Sequence, residues 1–409
     1  MDMDQEIKIL LHCLRGETGN ISPSLLQGLS ISDWENVIKA SITHGVTPLL
    51  YQRLEVGMPA KIVDGKVLDR FHKIYLKNAA MNMRRYNELS KVLRMLQDDG
   101  ISVIVLKGAH LAEIVYGNIA LRPMSDMDLM VKRADLPEVA EKFLKMGYRS
   151  NKRLRNEGLS SALQKPSFTD FHNNNFDIHW TIDNGAFKID VDSLWEQAQS
   201  VTVAGVKARA LSPEDLLLYI AVHASFHHTF DYRLRSLCDI SQTIWHYRDE
   251  MDWEQVLLRA RQWGADRCLY LMLYLADELL ETPVPDSVMD ALKPQNFDGS
   301  MAALAKRMMF DDQATSSQLS LIFSRLLRYS RFRDKAKYFL TRVFPPREAI
   351  ASMYPAHPRS MKIYLYYPVH LKDLLLRNRR TAWKLLFRDK KMMASAQKEN
   401  TLRDWITAE

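Results

Sequence analysis

The stretch ISVIVLKGAHLAEIVYGNIALRPMSDMDLMV, residues 101–131, reads as strand, tight turn, short helix, loop and strand. Ile101–Leu106 is an uncharged run of β-branched and apolar residues, which predicts a strand. Lys107-Gly108 ends it, and Ala109–Tyr116 has helical spacing of Leu111, Ile114 and Val115. Met127–Val131 predicts a second strand with Asp126 and Asp128 at its mouth. Strand side chains alternate between faces, so those two acids share one face while Met127 and Leu129 take the other. A glycine turn opening a helix offers backbone N–H groups to a phosphate. Paired carboxylates offer oxygens to Mg²⁺, which binds one or two carboxylates together with substrate phosphates.

A third acid comes from Asn175-Phe176-Asp177-Ile178-His179-Trp180, which alternates like a half-buried strand. Phe176, Ile178 and Trp180 point one way; Asp177 and His179 point the other. If this strand pairs beside the Asp126 strand, three carboxylates and a histidine converge.

Leu106-Lys107-Gly108, Leu111-Ala112-Glu113, Tyr116-Gly117, Leu121-Arg122-Pro123 and Ser125-Asp126-x-Asp128-Leu129 together resemble a family of mostly uncharacterised bacterial nucleotidyltransferase-like proteins. That family belongs to the polymerase-β-type nucleotidyltransferase superfamily. The likeness extends from His44-Gly45-Val46-x-Pro48-Leu49-Leu50-Tyr51 through Gly147-Tyr148, Asp177-x-His179-Trp180 and residues 211–217 to His223, His228 and Leu237-Cys238-Asp239. The resemblance implies an α+β fold: a small mixed sheet forming a catalytic core, with helical subdomains before and after it. It also implies that Asp126, Asp128 and Asp177 hold Mg²⁺ or Mn²⁺ and that Gly108 matches the phosphate turn. The expected reaction moves a nucleoside monophosphate from an NTP, such as ATP, to an acceptor hydroxyl with release of pyrophosphate. A nucleotide-binding adaptor that keeps the fold without turnover is the alternative. One departure is the opening Lys107-Gly108, where better-known superfamily members carry Gly-Gly or Gly-Ser and a shorter gap to the acid pair.

Neighbouring residues carry two readings each. Lys107 is either a solvated strand end or a point charge on a phosphate. Arg122 either pairs with Asp126 or Asp128, or clamps a triphosphate. Ser125 either caps the turn or bonds a phosphate, and His179 either orders Asp177 or contacts the nucleotide. His223 and His227 share a helical face near His228, but no cysteine or nearby acid completes a zinc set, so packing against the sheet is expected. Asp239 is expected to pair with Arg233 or Arg235. The Asp-x-Asp pair alone is weak evidence: surface acids show it, and glycosyltransferases use it on nucleotide sugars.

The chain of 409 residues exceeds one ordinary domain. The expected units are a helical subdomain over 1–100, a catalytic core over 101–210, a helical bundle over 211–310, and a basic aromatic-rich helical region over 311–409. Within the first, Ser32-x-x-Glu35 predicts a capping box for a helix reaching Thr43, and Leu68–Gln97 a long helix. Later helices are expected over Ala134–Met146, after Ser212-Pro213, over Leu237–Arg248, from Asp252 to Trp263, and over Cys268–Leu280. Hairpins are expected about Asn173-Asn174 and Gly205, and Asn151–Gln164 is a loop or a helix over the site.

Net charge is +7, yet Leu321–Lys391 holds eighteen Lys and Arg against four acids, so the rest of the chain is acidic. That basic region is a solvated face, a nucleic-acid contact with stacking aromatics, or an amphipathic surface for anionic membranes. No apolar run is long enough to span a bilayer, and the acidic N-terminus lacks signal-peptide order. Cys13, Cys238 and Cys268 are few, odd in number and far apart, which points to the reducing cytoplasm.

Overall fold

A computed structural model describes residues 3–17, 21–57, 62–150, 166–183, 185–231, 233–295, 297–310, 344–345, 347, 350, 354, 360–377 and 390–408. Its centre is one seven-stranded sheet: β1 Val103–Val105, β2 Asp126–Val131, β3 Arg149–Ser150, β4 Ser167–Thr169, β5 Asn175–His179, β6 Gln199–Val203 and β7 Val206–Ala210, ordered β3-β4-β5-β2-β1-β7-β6. The sheet is mixed. β2 runs parallel to β5 and β1 parallel to β7, while the other neighbours are antiparallel. With helices around this sheet, the fold is α+β.

The alternation read from the sequence sorts the two faces. Met127, Leu129 and Val131 join Val103, Val105, Phe176 and Ile178 in one core. That core is covered by Leu89, Val92 and Leu96 of the long helix Gly65–Asp98 and by Val139 and Phe143 of the helix Leu136–Lys145. Ile104 and Met130 point the other way, into a larger core. The helices Pro213–Val222, Leu234–His246 and Asp266–Leu280 build it, together with the N-terminal helices Gln5–Leu14 and Ile31–Thr43. The acid-bearing face of β2 therefore looks toward the C-terminal helices. The long helix serves both cores: Val67 and Phe71 enter the larger, Tyr86 to Leu96 the smaller.

Several boundaries differ from expectation for local reasons. β1 is three residues long because Ile101 N–H still closes on Leu96 O and Leu106 N–H crosses to Asp128 O. The following helix starts at Lys107, and from Leu111 it widens into a π-turn over Leu111–Val115, where Tyr116 N–H reaches Leu111 O. The capping box of Ile31–Thr43 is Ser30 with Asp33, not Ser32 with Glu35. Both pairs fit the same pattern; the Ser30 Oγ accepts from Asp33 N and the Asp33 carboxylate accepts from Ser30 N.

Ser212 caps its helix as expected, accepting from Asp215 N, and Gly264 stops the helix Trp253–Trp263 in left-handed conformation. The hairpins form where expected, with Asn173 at φ 61° and Gly205 at φ 70°. Residues 151–165 and 311–343, on which the loop or helix expected over the site and much of the basic tract fall, lie outside the described residues. The helix Lys390–Ile406 returns to the larger core through Leu402 and Ile406. All three cysteines are buried free thiols. Among the described residues no helix is long and apolar enough to cross a membrane.

Candidate active site

Parallel pairing of β2 with β5 sets Asp128 directly beside Asp177 and Met130 beside His179. Because both strands alternate, Asp128, Asp177 and His179 share the face that looks at the C-terminal helices. Their ligand atoms all lie within 4.8 Å of one another, the one such group among the described residues. Asp126 stands two residues back on the same face, half-buried at the mouth of the cleft, where Ser125 Oγ donates to its Oδ1 at 3.1 Å. Asp126 is not part of the compact group.

Asp128 is the most enclosed member, 1% exposed. His179 Nε2 is 2.8 Å from its Oδ1, and Lys107 Nζ is 3.1 Å from its Oδ2. His179 is thus in hydrogen-bond contact with Asp128. Asp177 is half-buried and accepts from Ser167 Oγ on β4. Lys107 is half-buried against the Asp128 carboxylate, not a solvated strand end. Its ammonium also donates to Tyr219 Oη at 3.3 Å and sits 5.5 Å from that ring. Tyr219, 1% exposed on Pro213–Val222, gave no signal in the sequence. Burial drives its phenol well above the ordinary value, against the opposing pull of Lys107.

Gly108 packs against the start of β2 at a distance where an added Cβ would make ordinary van der Waals contact. A Cβ there would lie 3.4 Å from Asp126 O and 3.7 Å from Met124 Sδ, so the helix start packs on the start of β2. The same cleft is lined by Ser125, Asp126, His223 and Arg235.

Arg122 takes a different partner from those expected. Its Nε and Nη2 both bond the Asp239 carboxylate at 2.7 Å, a pairing with neither Asp126 nor Asp128, and the residue lines the cleft beside Lys107, Ser125 and Asp126. Asp239 correspondingly pairs with Arg122, not with Arg233 or Arg235, and also accepts from Tyr116 Oη at 2.9 Å. Arg235 instead donates to Pro123 O at 3.2 Å. The loop that carries Arg122 is tied to the long helix: Asn78 Nδ2 donates to Ala120 O, and Asn82 Nδ2 to Ile119 O and Arg122 O. Two asparagines one turn apart on an otherwise apolar helix face are the signal that could have found this.

Of the three histidines, His223 lines the cleft. His223 lies on a π-turn, its ring 4.3 Å from that of His228 and 5.9 Å from Tyr219. Desolvation, then the charge of Lys107, drives its imidazole well below its usual pKa. His227 Nε2 is 3.2 Å from Asp183 Oδ1. The rings of the trio pack on one another and on Tyr219.

Two carboxylates with an adjacent imidazole suit a divalent cation: carboxylate oxygens are the ligands that Mg²⁺ and Mn²⁺ take. At 2.8 Å from Asp128, His179 has the position of a group that orients a ligating carboxylate.

A family model described as "Uncharacterised nucleotidyltransferase" matches residues 30–281. The chain belongs to that family. The nucleotidyltransferase is thus a transferase, and the match takes in the whole sheet, Lys107, the three acids and Tyr219. Among solved structures, the nucleotidyltransferase is similar to the antibiotic-resistance factor ANT(2'')-Ia, known from its solution structure. Identity is 14%, the TM-score is 0.33, and the match covers 44% of this chain and 91% of that one. No curated protein matches the sequence.

Proposed function

We propose that the protein transfers a nucleoside monophosphate from an NTP to an acceptor hydroxyl, releasing pyrophosphate. The acceptor oxygen forms a bond to the α-phosphorus, and the bond from that phosphorus to the β-phosphate bridging oxygen breaks. The observation that carries this reading is the in-register pair Asp128 and Asp177 with His179 beside it. Asp128 and Asp177 are the residues to hold Mg²⁺ or Mn²⁺, with Asp126 at the cleft mouth on the same face. When bound, the cation neutralises charge on the transferring phosphoryl group. His179 keeps the Asp128 carboxylate in one orientation. Asp177, the more open of the two, takes the proton of the acceptor hydroxyl. Lys107, Gly108 and Ser125 line the side where phosphates enter.

The test is incubation of the purified protein with each labelled NTP and Mg²⁺ or Mn²⁺, reading nucleotide transfer or slow hydrolysis. Asp128→Asn should lower turnover about a thousandfold, the several kcal/mol that metal charge stabilisation contributes. Unchanged turnover in that variant removes the reading. One observation favours a second reading, a nucleotide-binding adaptor without turnover: both Asp128 oxygens are engaged, one by His179 and one by Lys107. Nucleotide binding by calorimetry with no turnover for any NTP would select it.

A further inference from the structure

We infer that Lys107 is the resident counter-ion of Asp128, standing where a divalent cation binds, so that metal entry and transfer of this ammonium to the nucleotide phosphates are one event. The inference rests on the metal-binding reading of the site.

Asp128 has two oxygens and almost no access to water. Oδ1 faces His179 at 2.8 Å and Oδ2 faces the ammonium at 3.1 Å. A bound Mg²⁺ sits about 2.1 Å from its carboxylate oxygen. A cation that close to Oδ2 would stand next to the ammonium, and at such range the repulsion in a poorly solvated site is large. Lys107 must therefore leave before Oδ2 can ligate. Its flexible four-carbon stem and compact charge allow that. The structure supplies a second seat: the Tyr219 hydroxyl at 3.3 Å, with the ring face 5.5 Å away. It also supplies a destination, because Lys107 lines the same cleft as Ser125 and Asp126. Asp126, Asp128, Asp177 and Lys107 sum to two negative charges. A divalent cation cancels them, so the carboxylates no longer hold the lysine and a polyanion can draw it away. The lysine thus protects a buried carboxylate while the site waits and becomes a phosphate ligand once the site is loaded.

The experiment titrates Mn²⁺ alone into wild type, Lys107→Met and Lys107→Arg, reading free Mn²⁺ by electron paramagnetic resonance, with circular dichroism to establish folding. Lys107→Gln replaces the Met variant if the latter does not fold. The expected result is roughly tenfold tighter Mn²⁺ binding by Lys107→Met than by wild type, and no gain in Lys107→Arg. Inorganic triphosphate should then tighten Mn²⁺ binding more in wild type than in Lys107→Met, because only wild type has an ammonium to hand over. A folded Lys107→Met that binds Mn²⁺ no tighter than wild type overturns the counter-ion role and leaves the metal site standing. Absence of Mn²⁺ binding in wild type and in every variant overturns the metal site itself, and the counter-ion role with it.

Discussion

Arg122 and Asp239, 117 positions apart, meet in a two-pronged ion pair, both bonds 2.7 Å, with side chains 8% and 7% exposed. The pair fastens the loop before β2 to the helix Leu234–His246. It thereby sets the position from which Ser125, Asp126 and Asp128 start.

Asp239→Ala leaves a buried guanidinium without its carboxylate. The expected loss is about 3–5 kcal/mol of stability, the range found when one partner of an enclosed ion pair is removed. Urea denaturation measures it. The double replacement Arg122→Met with Asp239→Leu should lose less than Asp239→Ala alone, since no charge is then stranded. A double variant weaker than the single one contradicts this account.

His179→Ala should weaken Mn²⁺ affinity by about ten- to a hundredfold, as expected for a group that orients a ligating carboxylate. His179→Gln, which can still donate to Asp128, should recover part of that. Equal loss in both variants would mean that the imidazole itself ligates.

Acid should destabilise the fold through buried histidines outside the metal group. Burial takes His44 and His110 down to about 4 from 6.5, helped in His44 by Arg233 and in His110 by His246. Both are neutral in the folded and unfolded chain at pH 7, so they cost nothing there. As pH falls below 6.5 the unfolded chain takes up protons that the folded chain refuses, until pH reaches about 4. At pH 5 each histidine should cost about 2 kcal/mol. Urea midpoints compared at pH 7 and pH 5 test the sum, to which buried His223 also adds, and His110→Gln should reduce the drop by about 2 kcal/mol.

Asn82→Ala removes two bonds to loop carbonyls, Ile119 O and Arg122 O. Leaving buried acceptors unpaired should cost about 1–3 kcal/mol. Amide hydrogen exchange should rise across residues 118–125 more than across β5. Uniform change across both would argue against a local tether.

The sequence made the two central strands readable because each has one apolar and one polar face, and period-two alternation survives in any context. Phe176 and Ile178 against Asp177 and His179 is enough to assign sides. What alternation cannot say is that β2 and β5 run parallel with Asp128 opposite Asp177, since register depends on the crossover between them. Arg122 shows the same gap. Its charge invites the nearest acids, Asp126 and Asp128, yet its guanidinium bonds an acid on a helix far along the chain. Ser30 and Ser32 both precede an acid by three residues, and the choice between them falls to where the helix begins. Tyr219 lies in an apolar helix with nothing to set it apart until Lys107 is seen beneath its ring.

The 34-residue helix Gly65–Asp98 gives up Val67 and Phe71 to one apolar interior and Leu89 to Leu96 to the other. A rod shared in this way couples the two halves mechanically. Neither interior can open without fraying a helix that the other holds straight. Heating should accordingly give one calorimetric peak with matching van't Hoff and calorimetric enthalpies, and loosening at the N-terminal end should be felt at the acids some distance away.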